Sequence, residues 1–583
     1  MEKVWRFLHP NEVAVGRLQA AGFHPIVARL LAVRGIRSRE EADRFLEPKL
    51  AYLTDPSELP GCHDAAARIL RAIRSGKKIT VFGDYDVDGI TGLALLCRAI
   101  RLLGGDVDFY IPCRIEEGYG LNAAAVQALA ENGTQVLVTV DCGISGHQEI
   151  NLARRHGMEV IVTDHHCLPA ELPEAHVIVH PQLSPAAVNG LILSGAGVAF
   201  KLAWQLSRLA YQSERLPEET RNFLIHATGL AAVGTIADVI PLLEENRVLV
   251  HCGLHALAKI PLLGLRMLLE VAGLPPIQPR DSEKVAYQIA PRLNAAGRLS
   301  HAHLAAELLL TDSPDRARQL AEELNDLNRQ RQAMEEEITR ECWRLFHEEG
   351  WQNQPALVLA SERWHPGVIG IVAGRLADQL SRPVALIARD SLRQRRAIGS
   401  VRGVRGFDVF AALDRCRHLF ETYGGHEGAG GFTLVDENIA PFREAFVELA
   451  AQASIDAAKQ NVLLIEAEVP LGSLVPELVN QLEKLGPFGH GNARPLLCAG
   501  NVRLVYPPEA CGSAGQHVRM LLSQGPTRMR AIAFRKIHWL EALSAHTGPI
   551  DIAFYPTIDE YQGQRTVALQ LVDWRPSSRE GIC

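Results

Sequence analysis

One feature of this sequence constrains the fold more than any other. From Lys77 onward, short runs rich in β-branched residues alternate with segments of helical pattern. Ile79–Phe82, Val107–Ile111, Gln135–Val140, Glu159–Thr163 and Val177–Val179 read as strands, with Thr91–Leu103, Asn122–Glu131 and His147–Arg155 as helices between them. That rhythm predicts a parallel sheet with helices on its faces. In such a sheet the carboxyl ends of the strands open into one crevice, where ligands bind. Here those ends carry Gly83-Asp84-Tyr85-Asp86-Val87-Asp88-Gly89, then Asp141-Cys142-Gly143, then Asp164-His165-His166, with Arg114 after the second strand.

Three carboxylates at alternate positions cannot share a buried space without a counter-charge, because like charges and desolvation both oppose ionisation. A hard cation solves both problems. The run Asp84-x-Asp86-x-Asp88-Gly89 matches the first half of an EF-hand loop, but the twelfth position, which needs a bidentate Glu, is Leu95. The bland alternative is a solvated acidic turn capping the helix from Thr91. Three strand ends bearing Asp or His, plus an Arg, favour a mixed oxygen and nitrogen ligand set. Such a set suits Mn²⁺, Fe²⁺ or Zn²⁺ better than a pure oxygen cage does, with Mg²⁺ an alternative. Asp238, in the apolar segment Gly234-Thr235-Ile236-Ala237, reads either as a hydrogen-bonded core residue or as a further ligand.

The rest of the chain changes character several times. Residues up to about Leu50 look like short helices, and a more helical part runs from Gly195 to about Ala258. Asp315–Glu349 contains neither Gly nor Pro, follows the cap-like pair Ser313-Pro314 and stops at Gly350. At about 1.5 Å per residue this helix spans on the order of 50 Å, and reads as a strut between domains. A smaller α/β unit follows from Ala356 to about Ala450. The tail is strand-like at Leu464–Val469, Val502–Tyr506, Val518–Leu522, Met529–Phe534 and Thr566–Leu571, which suggests a small barrel or sandwich.

A length of 583 residues fits roughly four domains. The 60 Lys+Arg against 67 Asp+Glu give a formal charge of −7, which argues against a chain held everywhere by phosphates but not against a local basic channel. Eleven scattered cysteines without a C-x-x-C pair fit reduced thiols and a cytoplasmic protein. Met1–Pro10 has no apolar core of a signal peptide, and Leu191–Ala210 is interrupted by Lys201 and Arg208, so no membrane association is expected.

A second cluster suits phosphate. Arg389–Gly406 holds Arg389, Arg393, Arg395, Arg396, Arg402 and Arg405 against Asp390 alone. A charge run is usually a solvated face, and Arg393 and Arg395 are read so. Ser400 and Arg402 follow a glycine near a strand end, where hydroxyl, amide and guanidinium can converge on one phosphate. Gly424-Gly425-His426 reads as a close approach to phosphate or as a tight turn between helix and strand. No Walker A motif occurs.

Asp164-His165-His166, with the Asp84/Asp86/Asp88 loop and Asp141, resembles the DHH phosphoesterase superfamily, and within it the RecJ family of single-strand-specific 5′→3′ exonucleases. Ala290–Leu299 (APRLNAAGRL), Trp364–Val372 (WHPGVIGIV), Gly399–Arg402 (GSVR), Gly424–Gly431 (GGHEGAGG) and Pro487–Asn492 (PFGHGN) extend the resemblance from about residue 50 to the C-terminus. It implies an α/β multidomain fold: an N-terminal helical segment (1–50), a parallel-sheet DHH domain (51–255), a helical linker (256–350), a smaller DHHA1-type α/β domain (351–455) and an OB-like β-barrel (456–583).

The resemblance also implies roles. Asp86, Asp88 and the adjacent Asp84, with Asp141 as bridge, His165 and Asp238, would hold two divalent cations, Mn²⁺ before Mg²⁺. His166 would sit near the scissile phosphate, with Asp164 orienting a ligand from behind. Arg114, Ser400 and Arg402 would form a pocket for a 5′-terminal phosphate. Gly425 and His426 would approach the backbone, and Arg292 and Arg298 would contact the strand or merely brace the linker. Gly430 and Gly403 depart from the family's usual alanine and serine. Phe488, Tyr506, Phe534 and Tyr561 are candidate stacking aromatics in the barrel, although most aromatics in a small barrel are core.

The implied function is two-metal hydrolysis of single-stranded DNA to 5′-mononucleotides in repair and recombination. The enzyme would be a monomer working with a single-strand-binding protein and a recombination or repair helicase. The competing readings are a phosphodiesterase for very short or cyclic nucleotides, and a strand-binding protein without catalysis. Chain length and the barrel oppose the first; the intact ligand set opposes the second.

Overall fold

A computed structural model describes residues 3–114, 117–184, 192–259, 262–390, 396–453, 462–561 and 564–577. Arg393 and Arg395 lie outside these residues, as does the side chain of Tyr561. The chain divides into two compact units, Met1–Tyr52 with Pro241–Leu243 and Asn461–Cys583, and Leu53–Ile240 with Glu244–Gln460.

The chain opens with strand β1 (Val4–Phe7), ahead of helices α1 (Glu12–Ala20), α2 (Pro25–Val33) and α3 (Arg39–Leu46). The expected N-terminal helices are present, but the strand was not expected. Four residues are too few to show a period, and the partner of β1 lies far along the chain: Val4 pairs with Val462, in parallel. Apolar residues of α1 and α2, such as Leu18 and Leu30, share one core with the C-terminal strands.

In the larger unit, α4 (Cys62–Arg74) precedes β2 (Ile79–Gly83), α5 (Val87–Leu102), β3 (Val107–Tyr110), α6 (Ala123–Glu131), β4 (Val136–Val140), α7 (His147–Arg155), β5 (Glu159–Thr163) and β6 (Val177–Val179). The five strands are parallel in the order β3-β2-β4-β5-β6. Strand order therefore reverses between β2 and β4. That switch point is where loops diverge to opposite faces and leave a crevice. Strands β2 and β4 are buried along their whole length, as expected of a sheet covered on both faces.

Helix α5 starts at Val87, four residues before the expected Thr91, because the Asp86 carboxylate caps it by accepting from the amides of Asp88 and Gly89. The acidic loop is thus both a helix cap and part of the crevice. Helices α8 (Gly195–Tyr211) and α9 (Glu218–Ala237) pack on α5, and α10 (Glu244–Lys259) packs on α9, followed by α11 (Leu263–Val271), α12 (Ala290–Leu299) and α13 (His303–Leu310).

Helix α14 (Pro314–Glu348) is the long helix read from the sequence, 35 residues capped by Ser313. It is not a free-standing strut. Leu320 and Leu324 are buried in its first half, Ile338, Cys342 and Phe346 in its second, and the latter three join the core of the following sheet. That sheet comprises β7 (Leu357–Ser361), β8 (Val384–Asp390), β9 (Arg396–Arg402), β10 (Thr422–His426) and β11 (Ala429–Val435), in the order β10-β11-β9-β8-β7. Helices α15 (Pro366–Leu380), α16 (Val409–Arg415) and α17 (Ile439–Gln452) accompany it.

In the smaller unit, β12 (Val462–Ile465), β13 (Ala467–Glu468), helix α18 (Pro476–Glu483), β14 (Leu497–Leu504), β15 (Glu509–Cys511), β16 (His517–Gln524), β17 (Thr527–Ala533), helix α19 (Trp539–Ala545), β18 (Ile550–Tyr561) and β19 (Gln564–Pro576) follow in turn. The ladder β14-β18-β19-β17-β16 closes through a β14–β16 pairing, so the tail is a barrel rather than a sandwich. Strand β18 went unread in the sequence although Ile550, Ile552 and Phe554 alternate inward. Among the described residues, no single helix is long and apolar enough to cross a membrane.

Helix α8 is pinned from below by a buried ion pair. Lys201 Nζ donates to Glu245 Oε1 at 3.0 Å and to Thr54 O at 2.7 Å. Lys201→Met should destabilise the protein by about 3–5 kcal/mol in urea denaturation, because it leaves the Glu245 carboxylate buried without its counter-charge. Adding Glu245→Leu should recover much of that loss.

Candidate metal centre and phosphate pocket

The crevice at the switch point gathers every predicted ligand. Asp84 and Asp86 follow β2, Asp141 follows β4, His165 follows β5, and Asp238 caps the end of α9. Ligand atoms fall into three overlapping groups, Asp84/Asp86/Asp141, Asp88/His165/Asp238 and Asp141/His165/His166, each within 4.8 Å. His165 belongs to two of them, and so does Asp141. The Asp141 backbone is in the left-handed region at φ 63°, a strained conformation of the kind held at functional sites.

His165 Nε2 lies 2.9 Å from Asp141 Oδ1, 3.6 Å from Asp238 Oδ2 and 3.7 Å from Asp88 Oδ2. Yet His165 Nε2, Asp141 Oδ1 and Asp84 Oδ1 are buried without a hydrogen-bond partner. Buried polar atoms are ordinarily bonded, so these converge on something other than one another. Burial, and then the neighbouring carboxylates, raise the Asp141 and Asp84 carboxyls well above their usual range. The same causes push Asp88 up to about 7 and Asp238 up to about 8. Burial, with the charge of His166, lowers His165 to about 4, leaving its ring neutral and able to ligate. A divalent cation fits this donor set.

Asp164 points elsewhere. Its Oδ2 accepts from Ile144 N at 2.9 Å and its Oδ1 from the His165 and His166 amides, and the His166 ring Nδ1 lies 2.7 Å from Oδ1. Although burial alone would raise it, the hydrogen bond and charge of His166 hold Asp164 below its usual value. Burial would lower His166, but the hydrogen bond and charge of Asp164 prevail and raise it to about 9. Two adjacent imidazoles therefore sit in opposite charge states. Tyr119, not singled out in the sequence, reaches the same place, its hydroxyl 3.2 Å from both Asp141 O and His166 Nδ1. It stands between Gly118 and Gly120, both at positive φ, and Gly-Tyr-Gly was the readable signal.

Arginines gather beside the carboxylates. Arg114 stacks over the Tyr85 ring at 5.0 Å, and α12 packs on the same loop, since a Cβ at Gly297 would meet Tyr85 O at 2.7 Å. Burial, then the charges of Arg114, Arg331 and Arg402, lower Arg298 to about 9. Burial and Arg114 likewise lower Arg402. Arg402 Nη1 donates to Ser400 Oγ at 3.2 Å, and both lie against Gly370 of α15, where a Cβ would meet Ser400 Oγ at 2.9 Å. Guanidiniums pressed together out of water favour an anion between them.

Arg292 stands apart from this group: it donates to Asn325 Oδ1 at 3.1 Å and Gln288 O at 2.6 Å, which braces α12 on α14. Gly425 and His426 lie on a hairpin of two strands, not between helix and strand. Gly425, at φ 144°, opposes Gly430. His426 pairs with Ala429 and Ala429 with Arg402, which puts His426 and Arg402 in one row across the sheet. The family departures also have local reasons: a Cβ at Gly430 would meet Leu413 Cδ1 at 2.6 Å, and one at Gly403 would meet Val409 Cγ2 at 2.8 Å. In the barrel, Tyr506 and Phe534 are exposed, whereas Phe488 packs against the core.

Comparison with known proteins gives matches over most of the chain. The DHH family, N-terminal domain, matches residues 78–235, the DHHA1 domain residues 353–454 and the RecJ OB domain residues 465–573. The single-stranded-DNA-specific exonuclease RecJ of Bacillus subtilis is 34% identical over 570 residues, covering 98% of this chain and 70% of its own. That of Haemophilus influenzae is 33% identical over 585 residues, covering 98% of this chain and 99% of its own. The crystal structure of RecJ from Thermus thermophilus in complex with Mn²⁺ matches with a TM-score of 0.82 and 34% identity, over 99% of this chain and 80% of that one. Its Mg²⁺ complex matches with a TM-score of 0.76 and 32% identity, over 99% of this chain and 79% of that one.

Because Asp88 and Asp238 are raised to about 7 and about 8, part of each is protonated at pH 7 and a cation must displace those protons. Calorimetric Mn²⁺ titrations in buffers of differing ionisation enthalpy should show net proton release at pH 7. Affinity should rise as pH passes through about 7 to 8, and release from these two groups should decline, with affinity levelling off, above about 9. Binding at pH 7 without proton release would contradict the ligand assignment.

Proposed function

The chain belongs to the RecJ family of single-stranded-DNA-specific exonucleases, and we propose that it degrades single-stranded DNA in the 5′→3′ direction to 5′-mononucleotides. The observation that carries this reading is the adjacency of two opposite clusters. Arg114 lies over the Tyr85 ring beside the carboxylates and within electrostatic reach of Arg402, which is bonded to Ser400. A strand whose 5′-phosphate rests on Arg114, Ser400 and Arg402 would bring its first internal phosphodiester to the carboxylates. Such a placement would favour the 5′ end, because a 3′-hydroxyl end offers no terminal phosphate to these residues.

Asp84, Asp86, Asp88, Asp141, His165 and Asp238 would hold two divalent cations, Mn²⁺ before Mg²⁺. When bound, such a pair would supply a nucleophile at neutral pH and neutralise charge on the attacking and leaving oxygens. The remaining work belongs to side chains. His166, kept cationic by Asp164, would donate to an oxygen of the scissile phosphate. Neutral His165 would ligate through Nε2. Tyr119 would fix the His166 ring from its open side. Arg298 would contact the incoming strand, and the exposed Tyr506 and Phe534 would offer stacking surfaces for bases. Residues 51–255 and 351–455 would then serve as the two working lobes, 256–350 as their linker and 456–583 as a strand-binding barrel. A role in repair and recombination, as a cytoplasmic monomer with a single-strand-binding protein and a helicase, fits that activity.

The test is digestion of long 5′-phosphorylated single strands, matched blunt duplex and dinucleotides with Mn²⁺, Mg²⁺ or EDTA. Mononucleotides should appear from the single strand only, and only with metal. Equal cutting of the blunt duplex would overturn the reading. Arg402→Ala should reduce the preference for a 5′-phosphate while leaving Mn²⁺ binding within about twofold, since that guanidinium is not among the proposed ligands. Asp141→Ala should abolish turnover with strand binding still measurable.

A further inference from the structure

We infer that the first turn of α8 is a positioning element for the carboxylates of Asp88 and Asp141, with Gly195 its critical residue; this rests on the metal-binding reading above. Asp88 is fixed by that turn from both sides: Gly195 N donates to Oδ2 at 2.5 Å and Ala196 N to Oδ1 at 3.0 Å. The carboxylate thus lies on the positive end of a 17-residue helix. Its plane is set before any ligand arrives.

The same turn presses on Asp141. A Cβ at Gly195 would lie 2.6 Å from Asp141 Cβ, 2.7 Å from Oδ1 and 2.8 Å from Cγ. Asp141 has little freedom to retreat, since its backbone is held at φ 63°. Its Oδ1 is one of the buried atoms without a hydrogen-bond partner, and it faces His165 Nε2, another, at 2.9 Å. Across from α8, a Cβ at Gly234 of α9 would lie 2.4 Å from Asp88 Oδ1. The turn itself is locked: Ser194 Oγ accepts from Gly197 N at 3.1 Å and lies 3.0 Å from Thr235 Oγ1. Helices α8 and α9 therefore meet the carboxylates at glycines, and a methyl group at Gly195 would displace the proposed bridging ligand.

Gly197, in the same turn, is a matched control. A Cβ there would come no closer than 3.4 Å to Leu193 Cβ, an ordinary contact. The experiment compares Gly195→Ala, Gly197→Ala and the parent chain by thermal melting, Mn²⁺ titration and binding of a 5′-phosphorylated single strand in EDTA. Gly195→Ala should lose Mn²⁺ affinity by about tenfold or more, the scale of a misplaced supporting group, with strand binding within about twofold of the parent. Gly197→Ala should match the parent in all three. Mn²⁺ affinity unchanged in Gly195→Ala overturns the inference, whereas a parent chain that binds no Mn²⁺ overturns the metal reading itself. Should Gly195→Ala fail to fold, Asp141→Gly/Gly195→Ala must fold as well as Asp141→Gly alone, because all three facing atoms are gone. Failure of that pair also overturns the inference.

Discussion

Everything in the larger unit is arranged around a mutual repulsion. Asp84, Asp88 and Asp141 are almost fully buried within reach of Asp86 and Asp238; burial first, and then the charge of Asp86 and other neighbouring carboxylates, raises the affinity of Asp84, Asp88, Asp141 and Asp238 for protons. Such a cluster persists only because the surrounding structure over-determines it. Asp86 is spent partly on capping α5, Asp88 is held by the amides of α8, and Asp141 is fixed in a left-handed turn. The parallel sheet supplies these positions through its switch point, and three helices enclose them.

The arginine group is the opposite constraint in the same unit. Burial, and then the charge of Arg114, lower Arg298 and Arg402, much as burial and neighbouring carboxylates raise Asp84, Asp88, Asp141 and Asp238, so each cluster favours a partner of the other sign. The formal charge of −7 is therefore an average over two local demands and says little about either.

Much of this was legible in the sequence, and the physical reason is locality. Strand-end aspartates, the Asp164-His165-His166 turn and the Ser400–Arg402 pair are read from neighbours in the chain and from the rule that parallel strands open at one edge. What escaped depends on distant partners. Strand β1 is defined by Val462, and the packing of α14 by helices on either side of it. Arg292 could not be told from Arg298 by composition; Asn325, 33 residues on, claims it. The early start of α5 was missed because the acidic turn was read as capping a helix from Thr91, whereas Asp86 caps it at Val87. Asp238, open between core and ligand on its own residues, comes within 3.6 Å of His165.

The central claim is that one strand end engages both clusters at once. The most direct measurement is a crystal structure of the Asp164→Ala variant, slowed in turnover, with Mn²⁺ and a 5′-phosphorylated oligothymidylate, using anomalous scattering at the manganese edge. The account predicts two anomalous peaks among Asp84, Asp86, Asp88, Asp141, His165 and Asp238, with the 5′-phosphate against Arg114, Ser400 and Arg402. Metal peaks elsewhere, or a 3′ end lying in the arginine pocket, would contradict it.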